Sequence, residues 1–204
     1  TGEKALEREK ADQEAVYSRG ESLPSKERQV PLLFSEMDGV WIHTQREEQK
    51  HYEVKQAICY EGWEKLPVKG ERYRLVNKRV YCQGSEEIPF GEGASLEWAR
   101  VWDLSYLKEM VIGGDGAKWI DRGVEEVPGA IRQLDGFHLA RSCGRGWEGG
   151  KAIYEAIRGG ERERASFLME NLKRREGSGV QKARQYVERN VKKGQDWRTS
   201  SDME

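Results

Sequence analysis

Two aspartates share an unusual sequence setting, and their chemistry is that of metal ligands. Asp38 lies in "SEMDGVWI" and Asp115 lies in "GGDGAKWI", so each is followed by glycine and then, shortly after, by Trp-Ile. Burying a lone carboxylate is costly unless a partner satisfies its charge. Two such carboxylates facing each other would repel unless a cation lay between them. Mg²⁺ is the expected cation, because it takes oxygen ligands from one or two carboxylates and keeps other positions for water and phosphate.

Asp-Gly is also a common turn dipeptide, so either aspartate has a second interpretation as ordinary turn chemistry. A glycine next to a carboxylate lets backbone, ligand or metal approach closely, which favours the metal interpretation where the pair lies in an apolar strand. The residues alone leave both interpretations open. We expect Trp41 and Trp119 to pack against the sheet rather than to stack on bases.

A third acidic residue precedes one of the three histidines. In "LDGFHLAR", Asp135 lies three residues before His138, and Arg141 comes after them. A carboxylate that accepts a hydrogen bond from an imidazole fixes its tautomer and orientation. We therefore predict an orienting pair that supports the site, with a purely structural histidine as the alternative.

The elements that must position these residues are predicted by hydrophobic periodicity. Alternating or continuous apolar stretches predict strands over 31–45, 51–64 and 70–84, and helical spacing predicts a helix over 94–109. The segment 110–120 is then a fourth strand, and 130–142 a fifth strand that runs into a helix. Further helices come after residue 144. Three antiparallel strands, a helix and two more strands predict an α/β or α+β domain with a mixed sheet.

Composition limits the class of protein. Charged residues make up 35% of the 204 residues, and the segment 151–204 holds 13 Lys/Arg against 9 Asp/Glu. Its basic character is compatible with a polyanionic partner, and equally with a solvated charged helix. No apolar run approaches the roughly 20 residues of a membrane span, and three cysteines without a CxxC pair are typical of a reducing compartment. These features predict a soluble, cytoplasmic protein.

The ordered set "EMDGVWI", "GGDGAKWI" and "LDGFHLAR" resembles the ISLre-type bacterial insertion-sequence transposases, which are DDE transposases of the Mutator-like group. The resemblance covers about residues 30–198. It implies an RNase H-like fold with a five-stranded mixed sheet over 30–145, after a charged linker or the remnant of a preceding domain over 1–29. Residues 146–204 correspond to a helical insertion-like region with a truncated C-terminus, and the localisation implied is the bacterial cytoplasm.

The resemblance also implies roles for individual residues. Asp38 matches the first catalytic aspartate and Asp115 the second, and both are implied ligands of two Mg²⁺ or Mn²⁺ ions. Asp135 and His138 match the acid-or-cysteine, two residues, histidine signature of the group, with Arg141 as a further supporting residue. The third acid is a glutamate on a helix beyond the insertion, for which Glu204 is the candidate here.

The partner implied is double-stranded DNA, from insertion-sequence ends and target, with a homo-oligomer as an option. The residues expected to contact its phosphates are Arg162, Arg164, Lys173, Arg174, Arg175, Lys182, Arg184, Lys192 and Lys193. Two alternatives stay open: a catalytically inactive DNA-binding remnant of the same fold, and another RNase H-like metal-dependent nuclease. The missing glutamate motif leads us to expect a truncated copy.

Overall fold

The computed structural model describes residues 2–22, 28–45, 51–84, 87–127, 129–144, 149–172 and 178–192. The chain forms two compact units. Unit 1 comprises Thr1–Gly113 and Ala117–Ile131, and unit 2 comprises Gly114–Gly116 and Arg132–Glu204. The domain boundaries expected near residues 30 and 145 stay predictions.

Strands and helices alternate along most of the described chain. The strands are β1 (Leu32–His43), β2 (His51–Tyr60), β3 (Trp63–Lys65), β4 (Tyr73–Leu75), β5 (Arg79–Gln83), β6 (Glu109–Gly114) and β7 (Ala130–Leu134). The helices are α1 (Gly2–Gln13), α2 (Phe90–Ala99), α3 (Lys118–Glu125), α4 (Gly136–Cys143), α5 (Gly150–Arg158), α6 (Arg162–Leu172) and α7 (Ser178–Lys192). A π-helical turn over Glu14–Ser18 continues α1.

Five strands form the main sheet in the order β5-β2-β1-β6-β7. β1 pairs with β2 in antiparallel register, and β2 pairs with β5 in the same sense. The backbone N–H of Asp135 donates to the carbonyl of Gly114 at 2.8 Å. Because this bond joins the carboxyl ends of β7 and β6, those two strands run parallel. The sheet is therefore mixed, and the predicted α+β, RNase H-like class is confirmed.

The third predicted strand, over 70–84, is wrong as a single element. Its first part, β4, pairs with β3 in a separate two-stranded sheet, and its second part, β5, pairs with β2. Asn77 lies between them with φ +53°, the left-handed conformation that asparagine tolerates better than most residues. The turn at Asn77 therefore ends one strand and begins another, although the alternation of apolar and polar residues in the sequence continues across it. The helix predicted over 94–109 is also displaced, since α2 begins after Pro89 and ends at Ala99.

The core of unit 1 lies on one face of the sheet. Alternate residues of β1, namely Leu33, Ser35 and Met37, are buried, as the two-residue period of a strand requires. The two apolar ones belong to a cluster that includes the fully buried Trp98 and Ile112. Because the odd-numbered residues of this part of β1 face the core, the even-numbered Asp38 is on the opposite face.

A carboxylate just beyond β2 joins three distant parts of unit 1. Glu61 accepts hydrogen bonds from Arg28, from the indole of the fully buried Trp102 at 2.7 Å, and from Asn77 at 2.9 Å. The Arg28 guanidinium, aided by the other two donors, lowers the pKa of Glu61 to about 2. Sequence patterns do not reveal this cluster, since its donors are separated by long stretches of chain.

Unit 2 has a core of its own. Helices α4 to α7 pack around nine buried residues, which are Leu134, Leu139, Cys143, Ile153, Ala156, Ile157, Ala165, Met169 and Val187. Each of these helices has a narrow apolar stripe, and packing the stripes together removes them from water. The basic segment is therefore carried by helices with a shared core.

Candidate functional site

Asp38 is exposed on the sheet. It lies in the middle of β1 opposite Gln56, and its side chain accepts a hydrogen bond from the backbone N–H of Gly39 at 2.8 Å. Strand alternation turns this carboxylate away from the core cluster. Exposure removes the desolvation cost that made a partner necessary, and leaves the carboxylate accessible to a solvated ligand.

The two tryptophans of the repeated motif have different surroundings. Trp41 is 66% exposed, so the prediction that it packs against the sheet is wrong. β1 extends past the core at this point, and the neighbouring Val40 and Ile42 are also exposed. Trp119 packs against the unit 1 core, with its ring 5.0 Å from that of Phe90, which confirms the prediction for this residue.

Asp115 begins the turn after β6 and is half-buried. Helix α7 holds this turn by its backbone: the Tyr186 hydroxyl donates to the carbonyl of Asp115, and Arg189 donates to the carbonyl of Gly116 at 2.9 Å. Burial, followed by the negative charges of Asp115 and Asp135, raises the pKa of the Tyr186 hydroxyl. The phenol therefore stays a hydrogen-bond donor beside the acidic residues.

Gly116 shows why a glycine comes after this aspartate. Its φ is +90°, and a Cβ at this position would lie 2.7 Å from Oδ1 of Asn190. Asn190 is fully buried; it accepts a hydrogen bond from Arg132 at 2.8 Å and donates to the carbonyl of Tyr186 at 2.7 Å. A side chain at position 116 would strain the backbone and displace this amide.

Asp135 and His138 form the predicted pair. Asp135 is the N-cap of α4, where its carboxylate accepts from the backbone N–H of Phe137 at 3.1 Å and of His138 at 3.4 Å. The same carboxylate lies 2.6 Å from Nδ1 of the His138 imidazole. One carboxylate thus starts the helix and orients the imidazole. The supporting role of the pair stays a prediction, as does that of Arg141, which is exposed on α4.

The structure brings Asp115 and Asp135 to one end of the sheet in unit 2. Each comes directly after the carboxyl end of a strand, and the bond from Asp135 N to Gly114 O joins those ends. In open sheets with parallel strands, ligands bind in the crevice beyond the carboxyl ends. The two acidic residues, with His138 and Tyr186 beside them, are the candidate site of unit 2, whereas Asp38 belongs to unit 1.

The predicted metal ligands meet the chemical requirement only in part. Carboxylate oxygens are the ligands that Mg²⁺ prefers. Within the described ranges, however, no group of three or more His, Cys, Asp or Glu side chains is placed to hold a metal ion. Glu204, the candidate for the third acid, lies outside those ranges. The residues described therefore do not form a complete site for two ions, and the metal stays a prediction.

The basic residues predicted to contact DNA have mixed surroundings. Arg162 and Lys182 are exposed. Arg164 forms an ion pair with Glu161 at 2.8 Å, and Arg184 forms one with Glu188 at 3.7 Å, with only 15% of the Arg184 side chain exposed. Lys192 ends α7. The other four, Lys173, Arg174, Arg175 and Lys193, lie outside the described residues.

Three residues that hold the Asp115 turn were missed by sequence reasoning. Tyr186, Arg189 and Asn190 occupy positions i, i+3 and i+4 of α7, so they share one helix face. Their spacing in "YVERN" was available as a signal. What the sequence does not give is the segment that this face contacts, which is about 70 residues away along the chain.

Comparison with known families gives one result, and comparison with curated proteins gives none. Residues 8–191 match a family described as "Uncharacterised protein family (UPF0236)". No curated protein matches the chain. Within the part of the chain that the structure describes, the helices are all too short or too polar to cross a membrane.

Proposed function

We propose that this chain, which belongs to the uncharacterised protein family UPF0236, is a DDE-type transposase. The activity proposed is DNA transposition by metal-dependent phosphodiester hydrolysis and strand transfer. The motif resemblance to ISLre-type, Mutator-like enzymes supports the reaction class. The partners proposed are the ends of an insertion sequence and a target duplex.

The observation that carries the proposal is the position of the acidic residues in the sheet. Asp115 and Asp135 come directly after two adjacent parallel strands, and Asp38 lies on β1, the next strand in the order. Acidic side chains that directly follow strand ends, as Asp115 and Asp135 do, suit a site that acts by positioning and charge neutralisation at phosphorus. The turn that carries Asp115 is further fixed by Tyr186 and Arg189, which limits its backbone freedom.

Each residue has a defined task in this proposal. Asp38 and Asp115 would hold Mg²⁺ or Mn²⁺, which supplies Lewis-acid stabilisation of phosphate charge and an activated water when bound. Asp135 orients the His138 imidazole through Nδ1 and leaves Nε2 to bond a phosphate oxygen or water. Exposed basic residues such as Arg162 and Lys182 contact the DNA backbone without reading its sequence.

The decisive experiment measures nicking and strand transfer on DNA that carries the insertion-sequence ends, in the presence of Mg²⁺ or Mn²⁺. We expect Asp115→Asn to abolish both products, since the amide loses the negative charge but keeps the shape. Asp38→Asn should do the same. Glu125→Gln, which changes an exposed carboxylate on α3, is the matched control and should retain activity. Products that persist in Asp115→Asn would contradict the proposal.

A non-catalytic DNA-binding protein of the same fold is the second candidate. It is favoured by one observation: the described residues do not supply a three-ligand metal group. The two candidates differ in a simple titration. An enzyme of this class is stabilised against heat by Mn²⁺ in an Asp115-dependent way, whereas the non-catalytic protein binds DNA with a steep salt dependence and melts at the same temperature with or without Mn²⁺.

A further inference from the structure

Two histidines lie opposite each other in unit 1, where β1 ends and β2 begins. His43 is the last residue of β1 and His51 the first of β2, and the two are direct partners in the antiparallel register. Their ring centroids are 5.0 Å apart, with the ring planes tilted by 39°. Both residues are exposed, so a small solvated ligand can reach the imidazoles.

This spacing matches that of two imidazoles bound to one transition-metal ion. A metal–nitrogen bond is about 2.0–2.1 Å, and the ring centre lies roughly 1.2 Å behind the bonded nitrogen. Two such ligands at an angle of about 90–110° therefore place their ring centres about 4.6–5.3 Å apart. The observed separation falls inside this interval, so an ion can be bound by rotation of the side chains without movement of the strands.

We propose that His43 and His51 form a binding site for a borderline divalent ion such as Zn²⁺, Ni²⁺ or Cu²⁺. Neutral imidazole suits these ions, whereas Mg²⁺ prefers oxygen ligands. Water completes the coordination sphere, because both histidines are exposed. This site is separate from the transposase proposal and does not depend on it.

The carboxylates nearest to the two histidines in the described part of the hairpin are directed away from them. Strand alternation puts His43 on the same face of β1 as Gly39 and Trp41, and puts Asp38 on the other face. Glu53, two residues beyond His51, extends its carboxylate toward Gly39, away from the histidine pair. Within the described part of the hairpin, residues 32–45 and 51–60, the two imidazoles are therefore the ligands proposed, and Asp38 is not one of them.

The test is calorimetric titration of the full-length, tag-free chain with ZnCl₂ in millimolar MgCl₂. We expect binding of one ion per chain, and a rise in melting temperature with Zn²⁺. Replacement of either ligand, by His43→Gln or His51→Gln, should weaken binding by at least about tenfold, since even second-shell changes cost about 10–100-fold.

Two variants make the result specific. His138→Gln removes the third histidine, and Cys82→Ser removes an exposed thiol; both should bind Zn²⁺ like the unmodified chain. Circular dichroism checks that each variant is folded. Unchanged binding in both His43→Gln and His51→Gln, or loss of binding in His138→Gln or Cys82→Ser, would overturn the proposal.

Discussion

The two Asp-Gly segments have almost the same letters and different structures. Asp38-Gly39 lies inside a strand that continues for four more residues to His43, and the residues after it are exposed. Asp115-Gly116 is a turn that leads into α3, where Ile120 is fully buried. Asp38 is therefore a carboxylate within a strand, and Asp115 is a carboxylate at a turn.

The difference arises from the conformation of the chain after each glycine. Beyond Gly39 the strand period of two continues, and β1 runs past the core, so that neither of its faces is covered at Trp41 and Ile42. At Gly116 a positive φ redirects the chain, and the helical period turns Ile120 into the core of unit 1. A shared local pattern thus does not fix a shared environment.

The largest difference in the free energy of unfolding is expected between substitutions of the two isoleucines that follow the Asp-Gly pairs. Ile120→Ala should lower the free energy of unfolding by about 2–5 kcal/mol, because it leaves a cavity in the core. Ile42→Ala, the matched change in the other segment, should alter it by about 0.5 kcal/mol or less, since Ile42 is 46% exposed. Urea unfolding followed by circular dichroism measures both. Equal losses would contradict the difference in burial between the segments.

The two glycines provide the next test. Gly116→Ala should destabilise the chain by about 1–3 kcal/mol, since alanine resists a φ of +90° and its methyl group would meet Asn190. At Gly39 the added methyl group would meet the end of the flexible Glu53 side chain, which can move aside. We expect Gly39→Ala to be nearly neutral. Thermal melts of the two variants, compared in one buffer, would refute this if Gly39→Ala were the more harmful.

Glu61 is a useful contrast to the exposed Asp38, because three residues donate hydrogen bonds to its carboxylate. Its pKa is lowered from 4.5 to about 2 in the folded chain. A lowered pKa contributes stability that is present above pH 4.5 and is lost as the pH falls through about 2. Glu61→Gln should cost about 1–2 kcal/mol at neutral pH and flatten the acid limb of a stability–pH curve. An acid limb identical to that of the unmodified chain would show that Glu61 does not supply it.

Among the changes expected to destabilise the chain, the smallest effect is that of removing a single hydroxyl. Tyr186→Phe removes the bond to the Asp115 carbonyl and should cost about 0.5–1.5 kcal/mol. Because the pKa of Tyr186 is raised above 10.0, its contribution is present below that pH and is lost as the pH rises further. Hydrogen exchange at residues 114–116 should accelerate in Tyr186→Phe. The matched change Tyr73→Phe, at an exposed tyrosine of unit 1, should leave that exchange unaltered.

Much of the sheet could be predicted from the sequence, because strand alternation is a local signal. Leu33, Ser35 and Met37 show the buried face of β1 within five residues, and such segments were enough to predict the five strands of the main sheet in chain order. They did not predict α3, which lies between β6 and β7, or the small sheet of β3 and β4. The break at Asn77 could not be predicted, since a left-handed residue leaves no mark on the hydrophobic pattern. The alternation of buried and exposed residues also does not show where a strand extends beyond the core. This is why the prediction for Trp41 was wrong.

The candidate site was predictable only where its parts are close in sequence. Asp135 and His138 are separated by one helical turn, so the N-cap position and the spacing predict their contact. The hydrogen bond from the Tyr186 hydroxyl to the Asp115 carbonyl depends on packing between two residues that are 71 positions apart in the sequence. No local rule connects them, and the burial of Asn190 against Gly116 is likewise a product of that packing.

The same separation has a consequence for protein synthesis. When Asp115 is added to the nascent chain, the helix that fixes its carbonyl has not been made. At about 5–20 residues per second, Tyr186 is added roughly 4–14 s later. During these seconds the Asp115 turn lacks its hydrogen bonds from α7. Translation must therefore pass residue 190 before the turn can adopt its final form.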